Sequence, residues 1–226
     1  MPKPTAVDSS ISSSATTTDV RTFLLAAALV TAGASCKPRV VPLFGDVVTR
    51  PLPRTVAAQT PQRVDIEWRF SDQDFAVRGD GAVRLAPPDS ARLDFFLSGG
   101  YGGGRAILIG DSLDIPTARM LERLLPPPAL LWATLGRLTV QGEDTVMRVD
   151  GDTLRADIGS SPRWRAAFVD ERLVRLDRID GDRLQEFIVR IDSATVRYEH
   201  SSPRRRLDMT ITRTEPWKVR DADIWR

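Results

Sequence analysis

Apolar side chains at every second position constrain this chain more than any other feature. Val64, Ile66, Trp68 and Phe70 alternate with Asp65, Glu67 and Arg69. Leu93, Phe95 and Leu97 follow a turn at Pro87–Ser90. Phe187, Val189 and Ile191 alternate with Ile188, Arg190 and Asp192, and Leu207, Met209 and Ile211 with Asp208, Thr210 and Thr212. Successive side chains of a strand point to opposite faces, so this period predicts strands with one apolar and one wet face. One-sided strands of this kind belong to antiparallel sheets.

A short motif recurs between the strand-like runs: Gly110-Asp111-Ser112-Leu113, Gly151-Asp152-Thr153-Leu154 and Gly181-Asp182-Arg183-Leu184. Glycine accepts positive φ without steric cost, so these read as hairpin turns of a meander. Their uneven spacing argues against a solenoid. One stretch departs from period two. Thr117–Leu125 carries Leu121, Leu124 and Leu125 at helical spacing, and Pro126–Pro128 stops it. Ala129–Leu138 offers Leu130, Leu131, Trp132, Leu135 and Leu138 as a second short apolar helix. A sheet interrupted by two apolar helices predicts a curved sheet with a helical plug, 117–138, on its concave side.

The N-terminal region addresses the protein. Arg21 precedes an uninterrupted apolar run, Phe23–Val30, then small residues and Cys36, the sole cysteine. A basic start, a short apolar run and a small-residue cleavage site form a secretory signal, and the run is too short to span a bilayer. Gly33-Ala34-Ser35-Cys36 resembles the bacterial lipobox, with Gly33 where that motif prefers a larger aliphatic residue. The resemblance implies a signal peptide over 1–36 and a covalent lipid on Cys36. The alternative is an ordinary signal with an incidental cysteine. Residues 1–19 are rich in Ser and Thr and long for the start of a signal. Initiation at Val20 through a GTG codon would give a signal of ordinary length, and any other valine codon at that position excludes it. Residues 37–61 contain Pro38, Pro42, Pro51, Pro53 and Pro61 and read as an extended tether. The folded domain is expected over 62–226.

Lys+Arg is 32 and Asp+Glu is 30, and the lysines are only Lys3, Lys37 and Lys218. A net charge of +2 argues against broad electrostatic binding of nucleic acid. A single histidine, His200, and a committed cysteine leave no His/Cys cluster for a metal. Asp150/Asp152 and Asp180/Asp182 lack the spacing of a calcium loop and read as turn carboxylates. No G-x-S-x-G elbow accompanies His200, which precedes Ser201-Ser202-Pro203 and is expected in a surface loop, so no catalytic residue is assigned and a hydrolase is the remote reading. Gly99-Gly100-Tyr101-Gly102-Gly103-Gly104-Arg105 fits neither glycine-rich phosphate motif and joins two strands, which makes it a flexible hairpin loop. Tyr101 stands at its tip as the candidate for insertion into a lipid interface or a partner's pocket. Arg204-Arg205-Arg206 reads as a solvated turn, with contact to anionic head groups as the functional alternative.

Arg92–Ile109, RLDFFLSGGYGGGRAILI, resembles the strand–loop–strand of the LolA/LolB family of bacterial lipoprotein carriers and receptors and of related lipoproteins. The segment 117–138 is similar to that family's internal helices, and Arg206–Trp217 to its closing strand. The resemblance implies a mainly β fold, an unclosed antiparallel β half-barrel with short internal helices. It implies an outer-membrane lipoprotein that faces the periplasm and binds acyl chains or lipoproteins, with a periplasmic carrier protein as partner. The family's receptor projects an apolar side chain from the loop where Tyr101 stands. Lys37 occupies the position where, under the lipoprotein sorting rule, aspartate retains a protein in the inner membrane. Trp68, Phe70, Phe95, Leu97, Leu121, Leu125, Leu131 and Trp132 are the candidates for lining the acyl cavity. The expected protein is a monomer with no metal and no cofactor beyond the lipid on Cys36. The rival is a non-catalytic envelope scaffolding module with a packed core.

Overall fold

The structure is a computed structural model that describes residues 39–100, 102–116, 119–218 and 225. The chain divides into two units, 1–36 and 37–226, and every described residue lies in the second. Cys36 and Tyr101 lie outside the described residues.

Thirteen strands and two short helices are described. The strands are β1 (Asp46–Val47), β2 (Gln62–Ser71), β3 (Ala76–Ala86), β4 (Ser90–Leu97), β5 (Gly103–Ile109) and β6 (Ser112–Asp114). After helices α1 (Arg119–Leu124) and α2 (Pro128–Thr134) come β7 (Thr145–Asp150), β8 (Thr153–Ile158), β9 (Arg163–Val169) and β10 (Arg172–Asp180). The last three are β11 (Arg183–Arg190), β12 (Thr195–Ser201) and β13 (Arg204–Pro216). All strands join one antiparallel sheet in the order β1-β7-β8-β9-β10-β11-β12-β13-β2-β3-β4-β5-β6. Its edges, β1 and β6, do not pair with each other, so the barrel is unclosed.

The three repeated motifs are hairpin turns, with Gly110, Gly151 and Gly181 at φ of 55, 61 and 60°. A fourth turn, between β9 and β10, takes positive φ at both Asp170 and Glu171 without a glycine.

Helix α2 shows how far the sheet curls. Seven residues of helix span only about 10 Å. Yet α2 packs on β10, β11 and β12, and its Trp132 indole donates from Nε1 to the Gly110 carbonyl between β5 and β6, at 2.7 Å. In a flat sheet β12 and β5 would be about 24 Å apart, five strand spacings. The sheet therefore wraps round the helix, and the plug sits on the concave face as the pattern predicts. Pro127 precedes α2, Pro128 opens it, and Gly136 at φ 89° ends it. The remainder of the expected helix, Leu135–Leu138, lies beyond the last helical residue, Thr134.

The concave face collects Val64, Ile66, Trp68 and Phe70 from β2, Leu93 and Phe95 from β4, and Leu207 and Met209 from β13. Leu121, Leu124, Leu125, Leu130, Leu131 and Trp132 fill it from the helices. Gly79 and Gly81 of β3 face inward too. The Trp68 ring lies against Gly79, where a Cβ would stand 2.9 Å from its Cζ2. Its Nε1 donates to the Asp80 carbonyl at 2.9 Å, and it meets Phe95 edge-on at 5.7 Å between centroids.

The convex face explains the arginine and aspartate content. Arg165 and Asp157 stand directly opposite each other on β9 and β8 and bond through two nitrogens at 2.6 and 2.8 Å. Arg197 and Asp208 do the same on β12 and β13 at 2.7 Å. Asp94 is held by both Arg84 and Arg92. Such cross-strand pairs each contribute roughly 0.2–1 kcal/mol.

Two expectations are corrected. In β11 the apolar face is not Phe187–Val189–Ile191: Leu184, Glu186 and Ile188 are buried instead. Glu186 tolerates the interior because Arg178 and the Tyr198 hydroxyl each bond one of its oxygens at 2.8 Å. Phe187 faces outward beneath the Arg175 guanidinium, 4.6 Å from its ring centre. His200, expected in a loop, lies within β12, and its Nδ1 is 2.9 Å from the Pro203 carbonyl.

The segment read as a tether is held against the sheet from Arg39 onward. Arg39 bridges to Arg183 and its guanidinium pairs with Asp182, while the Val40 amide donates to the Asp182 carbonyl. Arg165 donates to the Val41 carbonyl, Arg155 stacks on Phe44, and β1 then pairs with β7. Beneath this strap burial pushes the Asp177 carboxyl up, against the pull of the Arg175 and Arg165 guanidiniums.

Candidate functional site

The predicted cavity residues converge. Trp68, Phe70 and Phe95 on the strands and Leu121, Leu131 and Trp132 on the helices are each no more than 1% exposed, and Leu125 is 6% exposed. They form one apolar cluster on the concave face, and Leu97 packs half-buried against it. The helices thus occupy the interior with their own side chains. As it stands, that interior is filled.

An open space lies at one end of it. A cleft of about 880 Å³ is bounded by Phe70, Val77 and Leu97 on its apolar side and by Arg69, Arg78, Arg206 and Asp208 on its polar side. Pairing explains the composition. Arg69 faces Arg78 across β2 and β3 and faces Asp208 across β2 and β13. Asp208 is already bonded to Arg197 and Arg206. Burial acts to raise its carboxyl, but those two guanidiniums outweigh it and hold it below its ordinary value. The cleft therefore presents basic side chains at the rim of an apolar floor. Its size suits a small-molecule ligand or part of a lipid.

A clamp holds helix α1 beside this cleft. Arg123 pairs through Nε with Asp72 at 2.7 Å and through Nη2 with Asp74, both in the β2–β3 turn. Its guanidinium also lies 5.1 Å from the centre of the Phe75 ring. The Asp72 side chain is 2% exposed. Burial acts to raise its carboxyl, but the amides of Asp74 and Phe75 and the Arg123 guanidinium together hold it below the ordinary 3.8. The folded state therefore binds this proton less readily than the unfolded state. The clamp's stabilisation is present above the ordinary carboxylate value and is lost as pH falls through the lower, folded one. Asp72→Asn is expected to lower the urea midpoint at neutral pH, with the difference from wild type shrinking as the acid range is entered. A constant difference down to the acid limit would show that Asp72 does not act through its charge.

The cluster of Glu186, Tyr198 and Arg178, the Asp72–Arg123 clamp and the basic cleft escape sequence reading. The first spans three neighbouring strands, β10, β11 and β12, the second joins a helix to a turn, and the third depends on β13 pairing with β2. Only the tertiary register brings them together, and no local spacing announces them. Among the described residues no group of three or more His, Cys, Asp or Glu gathers as for a metal, and no helix is long and apolar enough to cross a membrane.

Neither a protein-family model nor a curated protein matches this chain. Solved structures are similar in overall path. A LolA superfamily protein from Nitrosomonas europaea shares 10% identity at a TM-score of 0.49, over 74% of this chain and 90% of that one. A Vibrio parahaemolyticus domain described as an outer membrane lipoprotein-sorting protein shares 5% at 0.47, over 76% and 91%. A DUF1329 family protein from Desulfovibrio piger shares 9% at 0.40, over 75% and 90%. What establishes the fold here is its own strand order and pairing: a mainly β, unclosed antiparallel sheet with two short internal helices.

Proposed function

We propose that this protein is a lipid-anchored envelope protein of the outer membrane, facing the periplasm, that takes up acyl chains or acylated lipoproteins without covalent chemistry. Cys36 is the anchor in this reading, and Tyr101 is the insertion residue. The observation that carries it is the cleft, whose floor of Phe70, Val77 and Leu97 continues into the apolar cluster under the helices. Burial of a chain yields roughly 0.8 kcal/mol per CH₂. The cleft takes the first part of a chain, and displacement of α1 and α2 opens the rest. The Arg123 clamp sets how readily α1 moves. A handover partner such as a periplasmic carrier belongs to this mechanism.

Native mass spectrometry of residues 37–226 purified from the periplasm tests the reading directly. A co-purified lipid or acylated peptide is the expected result. Leu97→Asp places a carboxylate on the floor of the cleft at a half-buried position. It is expected to weaken binding of a fluorescent fatty-acid probe by at least about tenfold, because the charge loses hydration against the bound chain. A bare protein that excludes the probe would replace this reading with the second one.

That second reading rests on the close burial of Trp68, Phe95, Leu131 and Trp132. A core already complete suits a scaffolding module of the envelope, whose partners meet its sheet edge or its arginine-rich surface.

A further inference from the structure

The two ends of the sheet carry opposite charge, and the polarity follows from the hairpin connections. Five turns lie at one end: β3–β4, β5–β6, β7–β8, β9–β10 and β11–β12. They hold Asp89, Asp111, Asp152, Asp170, Glu171 and Asp192 and no arginine or lysine, and of the strand ends beside these turns Arg172 opens β10 and Arg190 closes β11, two cations against six carboxylates. None of these six carboxylates forms an ion pair among the described residues. The opposite end has the β2–β3, β4–β5, β8–β9, β10–β11 and β12–β13 turns. Their described acidic residues are Asp72, Asp74 and Asp182, and each is paired, the first two with Arg123 and the third with Arg39. Asp180 closes β10 there and the exposed Glu143 and Asp144 precede β7, but Arg163, Arg183 and Arg204 open β9, β11 and β13 at the same end. The cleft with Arg69, Arg78 and Arg206 opens there as well. Arg69, Arg78, Arg183 and Arg204 are exposed and form no ion pair among the described residues.

The N-terminal strap reaches the sheet at this same basic end, where Arg39 bridges to Arg183 beside the β10–β11 turn. Cys36 stands three residues before Arg39 in the sequence. We infer that the basic end is a docking face for an anionic phospholipid surface, with the acidic turns directed away from it. The link to the anchor rests on the lipid-anchored reading above; the charge polarity does not. Surface-bound arginines act within about a Debye length of about 8 Å, so only the end in contact contributes. Docked this way, the cleft opens toward the bilayer, with its arginines at head-group phosphates and Phe70 and Leu97 behind them.

The test uses residues 37–226, a unit that contains every described core contact and carries no cysteine. Its partition is measured onto vesicles of phosphatidylethanolamine with phosphatidylglycerol and onto neutral phosphatidylcholine vesicles. Wild type is expected to prefer the anionic vesicles and to lose that preference as salt is raised. Arg183→Glu with Arg204→Glu is expected to lower the partition at least about tenfold. Arg172→Glu with Arg213→Glu makes the same change in net charge at exposed sites away from the basic end and is expected to leave it largely intact. Circular dichroism of each variant checks the fold. An equal loss in both pairs, or no preference by wild type, overturns the docking face. The anchor is read separately, from the mass of the exported full chain: an unacylated Cys36 would overturn the anchor while the vesicle result still decides the face.

Discussion

Replacing Trp132 with alanine is expected to destabilise the domain by about 3–5 kcal/mol, the range for removing a large aromatic side chain from a packed core. The indole is 1% exposed, lies 4.8 Å beneath the Arg137 guanidinium, and bonds the Gly110 carbonyl. It is the contact that joins the helix to the far side of the curled sheet. Its loss leaves both a cavity and an unpaired carbonyl. The check is a urea unfolding curve followed by circular dichroism. If the helices are a removable cover that contributes little, the midpoint will barely move and fatty-acid probe binding will rise. A loss of several kcal/mol would show that any opening of the interior is transient, because the closed arrangement lies far below the open one.

Gly79→Ala is expected to be nearly as damaging, at about 3 kcal/mol. An added Cβ would stand 1.8 Å from the Phe96 carbonyl oxygen and 2.9 Å from the Trp68 ring. The nearer obstacle is backbone of the adjacent strand, which cannot turn aside, so trimming Trp68 to phenylalanine should not rescue the variant. Gly81→Ala meets the Asp94 carbonyl at 2.7 Å and Ile66 at 3.1 Å, and is expected to cost less. Urea midpoints for the pair read the order. If Gly81→Ala proves the worse variant, the close approach of β3 and β4 is not what limits the site.

The same two glycines show where reading the sequence falls short. Val64–Phe70 announces β2 by strict alternation, but its partner β3 has glycine at two of its inward positions and loses the apolar signal there. The glycines serve neighbours: they make room for the ring of Trp68 and for Ile66. In β11 the failure has another cause. Phe187 and Val189 look like the core face until Glu186 is seen to be satisfied by Arg178 and Tyr198, one of them on each flanking strand. Period two identifies a strand but not which face is inside, once a buried carboxylate finds partners across the sheet.

The helical plug was legible because leucine spacing and proline stops are local. So were the turns, since Gly-Asp at a strand end is a statement about φ. The buried residues of the concave face were legible as a set, because large apolar side chains in one-sided strands share a face. The cleft was not. Arg206 is 137 residues from Arg69 in the sequence, and the proximity of Arg69, Arg78 and Arg206 depends on β13 returning to pair with β2.

Sequence alone therefore determined the class of fold, the meander and the existence of an internal helical pair, because each follows from local periodicity and backbone preference. The tertiary structure alone decided that the interior is filled, that the strap lies on the sheet, and that charge is divided between its two ends. Those are properties of register and strand order: they place residues side by side that no stretch of the chain holds together.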